Sequence, residues 1–205
     1  MTERNQDWEH YFSSLPKSEA KQGIIHTYLR GIPFSFLTAS SVFSIKRLDP
    51  GTRLLIEAMS LPEKGCILDL GCGYGPIGIA AAILNPKLHI IMSDVNMRAI
   101  HLAAKNIEIN RVVNAQIRHG YLYEPVKDET FNAVLSNPPV SAGMAIVKAI
   151  ITGAPKVMAA KATLQMVVRS KIGAKTLPAI FDETFGNVRI LDRKSGYRVL
   201  MAEKQ

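Results

Sequence analysis

The 205 residues predict an α/β fold: a doubly wound, mostly parallel sheet with an antiparallel C-terminal hairpin strand and a small N-terminal extension. Three observations carry this. Cys66-Ile67-Leu68-Asp69-Leu70 is a short apolar run ending in a glycine cluster, as a strand buried on both faces does. From there to Phe185, short apolar runs alternate with stretches of helical spacing. That alternation implies right-handed crossovers with helices on both sheet faces. Two last apolar runs, Val188 to Leu191 and Tyr197 to Ala202, flank Asp192 to Gly196 and read as a hairpin at one edge.

Taken in order, residues 1–50 are the least regular and form the extension; residues 51–205 form the main domain. Patches at Ile24-Ile25 and Ile32 to Leu37 predict short strands or helices packed on that domain, and Thr38 to Ser44 predicts a loop. Thr52 to Met59 places Leu54, Leu55 and Ala58 at helical spacing. After the glycines, Pro76 suits the first turn of a helix, where an N–H is not needed. Leu88 to Ser93 is a second strand ending at Asp94. Asn96 caps a helix with Met97, Ile100, Ala103, Ala104 and Ile107 on one face. Ala115 to Arg118 and Phe131 to Leu135 are strands, the latter running into Asn137-Pro138-Pro139-Val140. Gly143 to Met158 is a helix broken near Gly153 and Pro155. Leu164 to Val168 is a fifth strand, and Lys175 to Phe185 a helix started or interrupted by Pro178.

Composition narrows the class. At 47% apolar residues the chain is expected to form one globular domain with a substantial core. It has no apolar run of about 18 residues, which argues against a membrane span. The polar stretch Met1 to Lys17 does not resemble a secretory signal. Cys66 and Cys72, the only cysteines, fit no metal or redox spacing, so no metal is expected and the thiols point to the cytoplasm. A formal charge of +8 points to an anionic partner, nucleic acid before membrane, although plain solubility explains it equally well.

The glycine cluster admits two ligands. Gly73 to Gly78 matches the dinucleotide pattern GxGxxG, which would suit a nicotinamide oxidoreductase. Asp69 to Gly75 matches an acidic-x-GxGxG loop for S-adenosylmethionine. In either case Gly71, Gly73 and Gly75 let the backbone turn sharply against a ligand, with Cys72 as a small loop residue. A carboxylate at Asp69 would hold an ammonium and repel a pyrophosphate, which favours the second. Asp94, nineteen residues after Gly75 and followed by Val95, is placed either to bind ribose hydroxyls or to cap the next helix. Tyr121 is expected beside an adenine, or as a half-buried strand-end residue. Asn137-Pro138-Pro139-Val140 opens into the same crevice. Its prolines fix the backbone and remove donors, leaving an amide oxygen and a carbonyl to grip a planar amine.

With these residues in view, the chain resembles class I S-adenosylmethionine-dependent N-methyltransferases. More narrowly it is similar to the small-subunit ribosomal RNA guanine-N2 methyltransferase (MTS) family and its single-domain archaeal relatives. The narrower likeness rests on Ser40 to Ser44, Gly51 to Ile56, Asp69 to Gly78, Asn137 to Gly143, Phe185-Gly186-Asn187 and Gly196 to Val199. The resemblance implies a Rossmann-like sheet of seven strands and S-adenosylmethionine as cofactor. It implies Gly71, Gly73 and Gly75 along the methionine moiety, Asp94 on the ribose, Asn137 with Pro138 on the target amine, and Phe43 closing the pocket. Three positions depart from the family pattern: Ser41 replaces a usual Gly, Tyr121 a common acid, and Val140 a frequent aromatic. The bacterial members carry a duplicated domain, and one copy is seen here, so substrate docking must come from elsewhere.

Between Lys161 and Gln205, nine Lys/Arg stand against four acids, a net +5. Arg169, Lys171, Arg193 and Lys194 are therefore the candidate RNA contacts. The expected partner is RNA, either ribosomal RNA or the small ribosomal subunit, with the protein a monomer or homodimer. Transfer to tRNA or a protein amide, nicotinamide chemistry, and a non-catalytic RNA-binding module remain the alternatives.

Overall fold

A computed structural model describes residues 22–39, 47–138, 143–171 and 175–205. Seven strands form the main sheet in the order β5-β4-β3-β6-β7-β9-β8. They are β3 (Gly65–Leu70), β4 (Leu88–Asp94), β5 (Ala115–His119), β6 (Phe131–Ser136), β7 (Met158–Arg169), β8 (Arg189–Lys194) and β9 (Tyr197–Glu203). Five of them, β3 to β7, run parallel, whereas β9 pairs antiparallel with β7, and β8 with β9. The chain winds outward from β3 through β4 to β5, then returns to β6 on the other side of β3. The reversal lies between β3 and β6, where the carboxyl ends of parallel strands open a crevice.

Strand pleating sends neighbouring residues to opposite faces. Thus Ile67 joins a core under α1 (Pro50–Ala58), α2 (Pro76–Leu84) and α3 (Met97–Ile109). Leu68 joins a second core under α4 (Gly143–Gly153) and α5 (Thr176–Phe185). This two-sided burial explains why β3 and β6 are mostly apolar.

The extension contains an antiparallel hairpin, β1 (Gln22–Leu29) and β2 (Ile32–Ala39), joined at Arg30-Gly31. Positive φ at both (48° and 78°) makes this the turn that matches strand twist. Thr38 and Ala39, expected in a loop, end β2 instead; the rest of that loop, Ser40 to Ser44, lies outside the described residues.

Three further expectations change. The buried face of α3 is Ala99, Leu102, Ala103 and Asn106, with Ala104 exposed. Asn106 is fully buried because it does the work of a neighbouring strand. Its Oδ1 accepts from Leu37 N (2.7 Å), and its Nδ2 donates to Leu37 O (2.9 Å) and Tyr74 O (2.8 Å). One turn on, Asn110 repeats the pattern on Ser35 N and O (3.2 and 2.8 Å). Four helical residues rise about 6 Å and two strand residues about 6.8 Å, so the two amides match the β2 edge. Second, β7 spans twelve residues where five were expected. Lys161 has φ 61° and the β6–β7 register shifts between Phe131 and Ala133, so a bulge hides its first half from pattern reading. Third, the C-terminal turn is Ser195-Gly196 (φ 51° and 79°), which places Arg193 and Lys194 in β8 rather than in the loop.

Candidate active site

The crevice at the switch point is a cleft of about 1090 Å³, partly open to solvent. Gly71, Cys72, Gly73 and Tyr74 form one wall, Asp94, Val95 and Asn96 a second, Tyr121 and Leu122 a third, and Asn137 with Pro138 the end. The glycine turn needs its glycines: φ is 72°, 59° and 92° at Gly71, Gly73 and Gly75, a region closed to most side chains. Ser93 O accepts from Gly71 N (2.8 Å) and Cys72 N (2.9 Å), tying the turn to β4. Burial, then the charges of Asp94 and Asp69, raise the Cys72 thiol, so it serves as a neutral wall. Asp94 accepts from Gly73 N and Asn96 N, each at 2.8 Å. Those bonds hold both carboxylate oxygens at the cleft wall, where spare lone pairs remain for hydroxyl donors. Burial nevertheless pushes its acidity down, raising its pKa above the usual range.

Asp69 does not reach the cleft wall. It is fully buried behind the turn, where Oδ2 accepts from Gly78 N at 2.8 Å and Oδ1 has no partner. Burial raises its pKa to about 7. A Cβ on Gly78 would stand 2.4 Å from Met92 Sδ, so this glycine serves the close approach of α2 to the sheet. The carboxylate therefore fastens the helix start behind the loop.

Asn137 follows β6, which Ser136 Oγ ties to β3 by donating to Leu70 O (2.8 Å). Asn137 Nδ2 donates to Asp49 Oδ2 (3.0 Å) and Thr52 Oγ1 (2.8 Å). Asn137 and Pro138 also line a second cavity of about 590 Å³, with Met144, Val147, Leu177, Arg169 and Tyr197 on its other sides. The Arg169 guanidinium lies 5.6 Å over the Tyr197 ring. Strand register sets Arg169 opposite Tyr197 and Tyr197 opposite Lys194, so exposed cations line one sheet edge beside this cavity. Arg193 adjoins Lys194 in β8 and Lys171 follows β7. Phe43, Pro139 and Val140 lie outside the described residues. Sequence reading missed Asp49, Thr52 and Tyr197 as neighbours of the site, although the similarity segments Gly51 to Ile56 and Gly196 to Val199 contained two of them.

The fold with this site falls in the class of doubly wound methyltransferases. The chain belongs to the methyltransferase small domain family, whose model matches residues 33–201. It is 38% identical over 198 residues to the uncharacterized protein YbxB of Bacillus subtilis, covering 96% of this chain and 98% of that one. The chain is also 30% identical over 169 residues to ribosomal RNA small subunit methyltransferase C of Yersinia pestis, covering 80% of this chain and 47% of the relative. It thus spans about half the length of the named ribosomal RNA methyltransferases it matches. In structure it resembles the T. thermophilus 16S rRNA N2 G1207 methyltransferase, solved with AdoMet and guanosine. The TM-score is 0.81 at 23% identity, over 93% of this chain and 52% of that one.

Proposed function

We propose that the protein transfers a methyl group from S-adenosylmethionine to an exocyclic amine of RNA in the cytoplasm, with guanine N2 of small-subunit ribosomal RNA the best-supported acceptor. The observation that carries this is the placement of Asn137 and Pro138 as a wall shared by two cavities. The first suits the cofactor: a glycine turn for its amino-acid end, the Asp94 carboxylate for ribose hydroxyls, and Tyr121 with Val95 for the adenine. When bound there, S-adenosylmethionine supplies an electrophilic methyl on a sulfonium. The second cavity takes a base flipped out of its stack. Asn137 Oδ1 and the Pro138 carbonyl accept both amine hydrogens, which aims the nitrogen lone pair at the methyl. By the family resemblance, Pro139 and Val140 belong to the same clamp and Phe43 helps close the pocket. The chain contributes position and charge complementarity, with no covalent intermediate. Arg169, Lys171, Arg193 and Lys194 hold RNA phosphates beside the opening. Residues 51–205 carry the two cavities, and the hairpin of residues 22–39 before them packs on α3. The relatives named as ribosomal RNA methyltransferases support the choice of acceptor.

Tritiated-methyl transfer to fractionated RNA, followed by nucleoside analysis, tests the proposal. N2-methylguanosine in small-subunit RNA is the expected product. Calorimetry should show binding of S-adenosylhomocysteine and none of NADH. Asn137→Ala should abolish transfer while RNA binding persists, and surviving transfer would remove Asn137 from the mechanism.

A further inference from the structure

We propose that Asp49 and Thr52 are positioning residues that fix which end of the Asn137 carboxamide faces the acceptor, and so select an amine over a carbonyl. This rests on the function proposed above. A carboxamide is nearly symmetric in shape, and a half-turn exchanges its donor and acceptor ends. Only the oxygen end is useful toward an amine. Asn137 by itself has no preference.

The preference comes from the start of α1. Asp49 is 6% exposed and caps that helix, accepting from Thr52 N at 2.8 Å through Oδ2. The same oxygen accepts from Asn137 Nδ2 at 3.0 Å, and Thr52 Oγ1 accepts from it at 2.8 Å. Both Nδ2 hydrogens are therefore committed inward. A half-turn would set Asn137 Oδ1 against the Asp49 carboxylate, two acceptors with no proton between them. Oδ1 is left for the acceptor amine. A guanine presenting its O6 at this point would meet an acceptor, whereas its 2-amino group meets a partner.

The brace is also held rigidly. A Cβ on Gly51 would stand 2.8 Å from the Tyr197 ring and 2.9 Å from Asp49 Oδ2. The first turn of α1 thus packs directly against the ring that Arg169 covers, and one short segment touches Asn137 and the far wall of the second cavity.

A reciprocal exchange tests this, with wild-type transfer to RNA measured first. Asn137→Asp brings a second carboxylate against Asp49, and kcat should fall about a thousandfold at pH 7.5, the scale on which misplaced catalytic groups act. Lower pH should restore part of it, since paired carboxylates share a proton. Adding Asp49→Asn returns a donor–acceptor pair of reversed direction. The double variant should recover at least about tenfold over Asn137→Asp and lose the acid recovery. Affinity for S-adenosylhomocysteine should stay near wild type in both variants. In parallel, Thr52→Val should lower kcat about tenfold, and Thr52→Ser should restore it. No recovery in the double variant, or wild-type kcat in Thr52→Val, overturns the brace. A wild-type protein that methylates no RNA overturns the proposed function itself, together with the brace that depends on it.

Discussion

At the residue scale, the fold gives two acidic side chains of one crevice opposite duties. Asp94 is held at the cleft wall by Gly73 N and Asn96 N, while Asp69 is sealed behind the turn with one oxygen unpartnered. The sequence places both at strand ends and cannot separate them. The difference arises because Gly78 lets α2 close over Asp69. Asp69 should also leave a mark on stability. Its folded pKa, about 7, lies above the ordinary 3.8. Well below the unfolded value of 3.8 both states are protonated, and its contribution is fully present. As pH rises toward 7 the unfolded chain ionises first, so stability falls by up to about 1.4 kcal/mol per pH unit and then levels off. Asp94 is shifted in the same direction and adds to the slope. Urea titrations of the ligand-free protein from pH 5 to 8 should show a falling midpoint, and Asp69→Asn should flatten it. An unchanged slope in the variant would mean that Asp69 is ionised in the folded state.

At the element scale, the hairpin and the glycine turn are coupled through one buried amide. Phe36 of β2 lies 5.8 Å from the Tyr74 ring, and Asn106 bonds both Leu37 and Tyr74 O. Asn106→Leu keeps the branched shape but strands two backbone carbonyls and one N–H. We expect a loss of about 3 kcal/mol in chemical denaturation, with weaker binding of S-adenosylhomocysteine. Asn110→Ala removes the outer rung alone and should cost about 1 kcal/mol. This coupling also marks how far pattern reading goes. β3, β4 and β6 were legible because burial on both faces leaves uniform apolar runs. The face of α3 was not, because a helical wheel counts apolar residues and its central buried side chain is an asparagine. β7 was truncated at the bulge around Lys161. Asn137 could be read from its prolines, but its partners Asp49 and Thr52 lie 88 and 85 residues away, a proximity that only the folded chain creates.

At the scale of the whole molecule, the winding reversal between β3 and β6 sets the cofactor cleft and Asn137 side by side. The antiparallel return of β9 then brings cationic residues to the same edge. Charge clustering in the last 45 residues was visible in the sequence, yet its alignment was not. It depends on cross-strand register, which sets Arg169 opposite Tyr197, Lys194 opposite Tyr197, and Arg193 opposite Arg198. Arg193 and Lys194 are exposed, on the outermost strand, and line neither cavity. Their contribution to RNA binding should therefore be ionic and independent of base identity. Replacing both with Ala should weaken RNA binding and reduce the slope of log K against log salt by about 1.5 to 2, the release expected for two phosphate contacts. Affinity for S-adenosylhomocysteine should not change, and kcat at saturating RNA should stay near wild type, because the pair acts before the base enters the cavity. A fall in kcat at saturation would place these cations in the chemical step, and an unchanged salt slope would remove β8 from the RNA footprint.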